Sequence, residues 1–194
     1  MLVFALCALL VAALFLFPAY QRKGGRGVLR ALGTFGWVAL LVVADQLTKL
    51  WASTVLQPVG SIPFIPGVLE FRFTLNDGAA FSMLAGKQSF LVAFTGAALV
   101  VLAGYLAIWQ PQKKLEHAAW ILVLAGGIGN LIDRVLNGAV VDFWNVLFMD
   151  FAIFNFADVL VCVGIGLLVL QLIVEEIRVR KQKKQSGGAQ DAAS

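Results

Sequence analysis

The residues of this sequence most able to do chemistry are aspartates that lie in or beside apolar segments. Four of them are candidates for such a role: Asp45, Asp133, Asp142 and Asp158. An ionisable side chain in apolar surroundings is costly, so it generally marks either a functional site or a buried ion pair. The sequence neighbours of each aspartate indicate which of these two roles it has.

Two of the aspartates have a cation close by in the sequence. Asp45 and Lys49 are four residues apart, so they can pair on one face of a helix. Asp133 directly precedes Arg134 and is predicted to stay ionised and paired with it. We interpret Asp133 as a group that braces the helices, and Asp45 with Lys49 as structural or substrate-contacting; neither aspartate is interpreted as catalytic.

Asp142 and Asp158 have no cation nearby in the sequence, and both are flanked by apolar residues. Such surroundings disfavour the charged form of a carboxyl group. If the fold brings the two together they would share a proton, and one could activate water while the other protonates a scissile carbonyl, as in aspartic proteases. The sequence does not say which of them is the base.

Amide side chains accompany two of the aspartates. Asn130 and Asn155 each lie three residues before an aspartate, and an amide is well suited to orient a carboxyl group or a substrate backbone. This is a site-like arrangement. On spacing alone, peptide hydrolysis and proton- or ion-coupled transport both stay open.

The elements that must position these groups are membrane spans. The 194 residues are 60% hydrophobic and 13% charged, with a mean hydropathy of +0.88, which exceeds the apolar content of ordinary soluble domains. About 20 apolar residues cross a hydrocarbon core about 30 Å thick. The sequence therefore predicts an all-α polytopic membrane protein, a four-helix core plus one extra N-terminal helix, from five apolar stretches at about 1–19, 31–52, 88–109, 118–136 and 155–175.

Basic residues at the ends of these stretches indicate their orientation. They fill the first and third links and follow the last stretch: Arg22, Lys23, Arg26, Arg30, Lys113, Lys114, Arg178, Arg180, Lys181, Lys183 and Lys184. By the positive-inside rule these segments are predicted to be cytoplasmic, with the N-terminus outside and the C-terminus inside. Because the cations cluster at span ends, the net charge of +4 does not indicate a nucleic-acid partner.

The two outer links have different patterns. Apolar and polar residues alternate over Leu69–Asn76, which is typical of an amphipathic strand; residues 76–78 then predict a turn and residues 79–84 a short apolar helix. Residues 137–154 are unusually apolar and are predicted to dip into the interface as irregular backbone, where they could form a lid. A small β-sheet cradle is therefore expected at the outer surface.

The remaining features predict no metal site, no disulfide and no cofactor. Cys7 and Cys162 lie in apolar stretches, where cysteine behaves as a small hydrophobe, and His117 is interpreted as an interfacial histidine. The Gln-, Ser- and Gly-rich end of the chain is typical of disorder. The predicted division is an extra helix with its basic link over 1–30, the functional domain over 31–176, and a basic, disordered tail over 177–194.

Five segments of this sequence resemble bacterial lipoprotein signal peptidase, also called signal peptidase II. They are DQLTK, NDGAAFS, GGIGNLIDR, VVDF and FNFAD, beginning at residues 45, 76, 126, 140 and 154. All five occur in the family's order within about 31–175, which makes the resemblance highly specific. It implies four helices with an outer sheet, a bacterial inner-membrane location with the active site toward the outer face, and cleavage of diacylglyceryl-modified prolipoproteins before the lipid-bearing cysteine.

The resemblance also implies a role for each matched residue. Asp142 and Asp158 match the catalytic pair, in agreement with the choice made from their surroundings. The positions that match the substrate site are Asn76, Gly78, Asn130, Arg134 and Asn155. The positions that match supporting residues are Asp45, Lys49, Asp133 and Ala157. The expected partners are lipid-modified prolipoproteins and membrane lipids, and the protein is expected to be a monomer.

One feature of this sequence departs from the family. Chains of the family usually begin near what is residue 31 here, so the N-terminal helix is additional.

Three other functions are alternatives to lipoprotein signal peptidase. A proton-coupled transporter would be expected to show inverted repeats and mid-membrane carboxylates. A presenilin-like or prepilin-type protease would have a Gly-x-Gly-Asp block, but Gly127-Ile128-Gly129 is followed by Asn130. A non-enzymatic scaffold would leave Asp142 and Asp158 without a purpose.

Overall fold

The computed structural model describes the backbone of residues 2–78 and 87–191, and the side chains of residues 15–78 and 87–182. The short helix predicted over 79–84 lies outside the described residues. Within the described ranges the elements are α1 (Leu2–Trp51), a π-helical segment (Ala52–Leu56), α2 (Gln57–Val59), β1 (Ser61–Ile65), β2 (Leu69–Asn76), α3 (Gln88–Ile108), α4 (Lys114–Asn137), β3 (Val140–Val146) and α5 (Phe156–Asp191).

The described residues include four helical segments that are long and apolar enough to cross a membrane. They are Phe15–Val59, Gln88–Ile108, Lys114–Asn137 and Phe156–Gln182. Their outer surfaces carry large exposed apolar side chains, such as Leu47, Val101 and Leu172, which is expected of surfaces that face lipid. The predicted fold class, a helical membrane core with a small sheet, is confirmed.

Gly24 divides α1 into two helical arms, residues 2–23 and 25–51. Its φ of 61° and ψ of −153° lie outside the helical region, in a conformation that favours glycine. The arms then pack against each other, since the rings of Phe15 and Phe35 lie 6.0 Å apart. The basic link predicted between the first two stretches is therefore a tight turn between two helices.

This turn is attached to the loop between α3 and α4. The buried Gln110 side chain donates a hydrogen bond of 2.7 Å to the Gly27 carbonyl, and Lys23 donates one of 3.2 Å to the Trp109 carbonyl. The Arg22 guanidinium lies 4.8 Å from the centroid of the Trp109 ring. The N-terminal arm is thus joined to the helical core by specific contacts at this end.

We expect Gly27→Val to destabilise the protein by about 1–3 kcal/mol, as overpacking generally does. A Cβ atom at position 27 would lie 2.5 Å from the Ala19 carbonyl oxygen and 2.8 Å from the Lys23 Cβ. The matched control is Gly33→Ala, because nothing lies within 4 Å of that position and alanine favours a helix. Thermal unfolding in detergent measures both variants. Equal melting temperatures for the two would contradict the packed turn.

The three strands form one antiparallel sheet in the order β1-β2-β3. The predicted strand over Leu69–Asn76 is confirmed as its central strand, β2. The prediction of irregular backbone over 137–154 is wrong, because Val140–Val146 forms β3 and pairs with β2. Four consecutive residues of β3, 140–143, are buried, so this strand lacks the alternation by which β2 is recognised.

Aromatic side chains attach the sheet to the end of α1. The Trp51 ring lies 5.2 Å from Phe71 of β2 and 6.1 Å from Phe143 of β3, between ring centroids. Phe143 is buried in an apolar cluster with Ala52 and Leu56 of the π-helical segment. These contacts fix β3, and with it Asp142, above the helical core.

The last helix is longer than the sequence predicts. A disordered tail is predicted over 177–194, but α5 continues as a helix to Asp191. Charge pairs support the extension, because Arg180 binds Glu176 one turn earlier at 2.7 Å, and Lys113 of the α3–α4 loop binds Glu175. Residues 192–194 of the predicted tail lie outside the described residues.

Candidate active site

Polar side chains from five elements meet at the end of the helical core that lies under the sheet. They are Asp45 and Lys49 of α1, Asn76 of β2, Asn130, Asp133 and Arg134 of α4, Asp142 of β3, and Asn155 and Asp158 at the start of α5. The structure therefore brings together the site residues that the sequence identifies.

Asn155 joins the two candidate aspartates. Its side-chain Nδ2 donates a hydrogen bond of 2.6 Å to Asp142, while its backbone N–H donates one of 3.0 Å to the Asp158 carboxyl group. The Asp158 backbone N–H donates in return to Asn155 Oδ1 at 3.0 Å. This reciprocal pair is a capping box, which satisfies free backbone donors where a helix begins. The residues that start α5 thereby hold the carboxyl of Asp158 near that of Asp142.

Two further asparagines hold the remaining carboxylate oxygens. Asn76 donates to Asp142 Oδ2 at 3.0 Å, and Asn130 donates to Asp158 Oδ1 at 2.8 Å. Asn130 also accepts a hydrogen bond of 3.1 Å from Asn155 Nδ2. All four carboxylate oxygens are therefore held by amide donors, which fixes the orientation of both acidic groups.

Burial sets the acidity of Asp142. Only 2% of this residue is exposed, and the resulting loss of hydration raises the pKa of its carboxyl to about 6. Hydrogen bonds from Asn76 and Asn155 lower this pKa, and the nearby charge of Asp158 raises it. A carboxyl with such a pKa can hold a proton close to neutral pH, as the acid of an aspartate pair must.

Lys49 is the centre of a buried ion-pair cluster beside the two aspartates. Its Nζ lies 2.9 Å from Asp45 and 3.0 Å from Asp133, and it donates to Asn130 Oδ1 at 2.8 Å. The predicted pairing of Asp45 with Lys49 is confirmed. The predicted pairing of Asp133 with Arg134 is wrong, because adjacent residues of a helix do not face each other, and Asp133 pairs with Lys49 instead.

The ion-pair cluster also binds the backbone next to each candidate catalytic residue. Asp45 accepts a hydrogen bond of 2.9 Å from the N–H of Ala157, the residue before Asp158. Asp133 accepts one of 3.2 Å from the N–H of Val141, the residue before Asp142. Asp45 and Asp133, which match supporting positions of the family, therefore hold in place the segments that carry Asp158 and Asp142.

Gln46 and Gly129 also take part in this cluster, although neither is among the site residues predicted from the sequence. Gln46 donates to Asp45, to Asp133 and to the Gly129 carbonyl, at 3.1 to 3.2 Å. A Cβ atom at Gly129 would lie 3.0 Å from Cγ of Asp45 and 3.4 Å from Cβ of Ala157, so only glycine fits. Gln46 follows Asp45 directly in its sequence block, which was the available signal.

Arg134 connects α4 to the turn after β2. Its guanidinium donates to the Gly78 carbonyl at 2.8 Å and to the Asn130 carbonyl at 3.4 Å. The turn itself is held by Asn76, whose side chain accepts a hydrogen bond of 3.0 Å from the Gly78 N–H. Gly78 and Arg134 therefore lie beside the candidate pair, as the resemblance implies for substrate-site positions.

Comparison with known sequences identifies relatives over most of the chain. The family model described as Signal peptidase (SPase) II matches residues 37–174. A lipoprotein signal peptidase of Streptococcus pyogenes serotype M2 (strain MGAS10270) is 42% identical over 137 residues, which are 71% of this chain and 90% of that relative. The lipoprotein signal peptidase of serotype M5 (strain Manfredo) is 41% identical with the same coverage.

Two solved structures described as bacterial membrane enzymes determined by the in meso method are also similar. The structure at 2.3 Å resolution has a TM-score of 0.69 and 34% identity, and the match covers 74% of this chain and 89% of that one. The structure at 1.9 Å resolution has a TM-score of 0.65 and 35% identity, with coverage of 72% and 92%. The family match spans every residue of the site just described, and the chain therefore belongs to the signal peptidase II family of proteases.

Proposed function

We propose that this protein is an aspartic endopeptidase of the bacterial inner membrane that removes the signal peptide from diacylglyceryl-modified prolipoproteins, before the lipidated cysteine. The names of its relatives support the substrate class. The observation that carries the catalytic mechanism is the set of hydrogen bonds by which Asn155 contacts both Asp142 and Asp158.

In the proposed mechanism Asp158 is the base and Asp142 the acid. Asp158 removes a proton from a water molecule as its oxygen attacks the scissile carbonyl carbon, and Asp142 donates its proton to the carbonyl oxygen. The tetrahedral diol then collapses: Asp158 gives its proton to the leaving nitrogen, Asp142 takes a proton back from a diol hydroxyl, and the C–N bond breaks. The pKa of about 6 at Asp142 supports its assignment as the proton donor.

We assign substrate binding to the positions that match the family's substrate site: Asn76, Gly78, Asn130, Arg134 and Asn155. These residues bind one another and the two aspartates through side-chain and backbone groups. An extended peptide would therefore replace some of these hydrogen bonds with its own backbone groups. Asp45, Lys49, Asp133 and Ala157 hold the site in position through the ion-pair cluster.

We propose a monomer without a cofactor, with the C-terminus in the cytoplasm, the active site at the outer face and membrane lipids around the spans. The distribution of cations supports this orientation. Lys23 contacts the α3–α4 loop and Lys113 of that loop contacts Glu175 of α5, so the basic segments gather at one end. In this arrangement residues 1–30 form an additional helix and turn, and residues 31–176 form the protease domain.

The acid role of Asp142 predicts a pH dependence. Activity requires its protonated form, so kcat/KM is expected to fall as pH rises through about 6. Asn76→Ala removes a hydrogen bond that lowers this pKa and is expected to move the falling limb to higher pH, besides lowering activity overall. A pH–rate profile of both proteins measures the shift. A limb that moves to lower pH would contradict the assignment.

A cleavage assay tests the proposed function. The purified full chain in detergent is expected to cut a diacylglyceryl-modified prolipoprotein peptide before its cysteine, and mass spectrometry of the products locates the cut. The same peptide without the diacylglyceryl group is the matched control and is expected to be a poor substrate. Absence of cleavage, together with proton flux in proteoliposomes, would favour the alternative of a proton-coupled transporter.

A further inference from the structure

An apolar pocket of about 490 Å³ lies between the sheet and the first turn of α5. Its walls include Leu69 of β2, Trp144 and Val146 of β3, and Val159 of α5. The volume is within the range of about 300–1,000 Å³ that is usual for small-molecule sites. The lining side chains are aliphatic or aromatic, so an occupant would bind mainly through burial of its own apolar surface.

The pocket adjoins the candidate catalytic pair. Two of its lining residues, Phe154 and Phe156, flank Asn155, and Val159 follows Asp158. On β3, Trp144 is two residues from Asp142, and side chains two apart on a strand lie on the same face. A ligand in the pocket would thus lie next to a bond that is held between Asp142 and Asp158.

The other side of the pocket adjoins a surface that faces lipid. Val159 and Val163 are both exposed and lie one turn apart on α5, which is one of the helices able to span a membrane. Phe148, also a lining residue, is 68% exposed. A hydrocarbon chain can therefore enter the pocket from the bilayer along α5 without crossing water.

We infer that this pocket binds an acyl chain of the diacylglyceryl group on the substrate. The inference rests on the proposed function, which places that group on the residue next to the scissile bond. An acyl chain fits the apolar lining, the continuity with the lipid-facing surface of α5 and the position beside the catalytic pair. Each methylene group held against these walls gains closer packing contacts than fluid lipid provides.

Chain-length preference tests the inference. Two substrates share one peptide sequence and carry either two 16-carbon or two 8-carbon acyl chains, and the unmodified protein is expected to prefer the longer chains through a lower KM. Val146→Trp fills the pocket, and we expect it to raise KM more for the long-chain than for the short-chain substrate, which reduces this preference about tenfold. Leu147→Trp is the matched control, since Leu147 is exposed and is not a lining residue; it is expected to retain the preference.

Other outcomes separate this inference from the proposed function. If Val146→Trp lowers cleavage of both substrates equally, the pocket holds a peptide segment, and the inference is overturned. An unchanged chain-length preference would overturn it as well. Val146→Ala, which enlarges the pocket, is the second test if the Trp variant does not fold. A changed chain-length preference in this variant supports the inference, and an unchanged preference overturns it. Failure of the unmodified protein to cleave either substrate would instead refute the proposed function itself.

Discussion

Asp142→Asn and Asp158→Asn are each expected to lower kcat/KM by about a thousandfold or more while leaving the protein folded. General acid and base groups contribute about a hundred- to ten-thousandfold each, and the asparagine variants cannot exchange the required proton. Each variant keeps an oxygen that can accept one of the two hydrogen bonds now made to that carboxyl group. The cleavage assay measures activity, and thermal unfolding in detergent checks that the fold is kept.

The double variant gives a sharper test than either substitution alone. Groups that act as one catalytic unit have non-additive effects, so we expect Asp142→Asn with Asp158→Asn to be about as inactive as each single variant. Asp150→Asn is the matched control, because Asp150 is exposed in the link between β3 and α5, and it should retain activity. Multiplicative losses in the double variant would indicate that the two aspartates act in separate steps.

Lys49→Met is expected to destabilise the protein by about 3–5 kcal/mol, the usual cost of leaving a buried charge without its partner. Lys49 is 3% exposed and lies within 3.0 Å of both Asp45 and Asp133. Its loss leaves two buried carboxyl groups facing each other. Activity should fall too, because Lys49 also fixes the amide of Asn130. Thermal unfolding measures the stability, and the cleavage assay measures the activity.

A second substitution distinguishes electrostatic loss from lost packing. Adding Asp45→Asn to Lys49→Met removes one of the two unpaired carboxyl groups, and the asparagine oxygen can still accept the hydrogen bond from the Ala157 N–H. We therefore expect the double variant to be more stable than Lys49→Met alone. If it is less stable by the sum of the two single losses, the two side chains do not act as an ion pair.

The sequence predicts those elements whose residue pattern lies within one short segment of the chain. Five apolar stretches predict the helical core, and the alternation in β2 is visible because only one face of that strand is apolar. β3 could not be recognised in the same way, because residues 140–143 are buried on both faces. The prediction also ends α5 too early, although Glu176 and Arg180 have the four-residue spacing of a helical ion pair.

In the candidate site, too, the features within one segment are predicted from the sequence, and the contacts between distant segments are not. Asp142 and Asp158 are recognisable because they lack nearby cations, and the Asn155-x-x-Asp158 spacing is that of a capping box. The ion-pair partner of Asp133 could not be predicted from its sequence neighbour, because adjacent residues of a helix point in different directions. The partner is Lys49, which the tertiary fold brings close to Asp133. The hydrogen bonds from the backbone before each candidate catalytic aspartate to the ion-pair cluster likewise require the assembled structure.

The most direct test of the central claim is a crystal structure of the protein with a lipopeptide whose scissile bond is replaced by a hydroxyl-bearing mimic of the tetrahedral diol. We predict that one hydroxyl oxygen lies between the carboxyl groups of Asp142 and Asp158, within about 2.5–3.0 Å of an oxygen of each. A hydroxyl bound by only one of these aspartates, or placed away from both, would contradict the proposed mechanism.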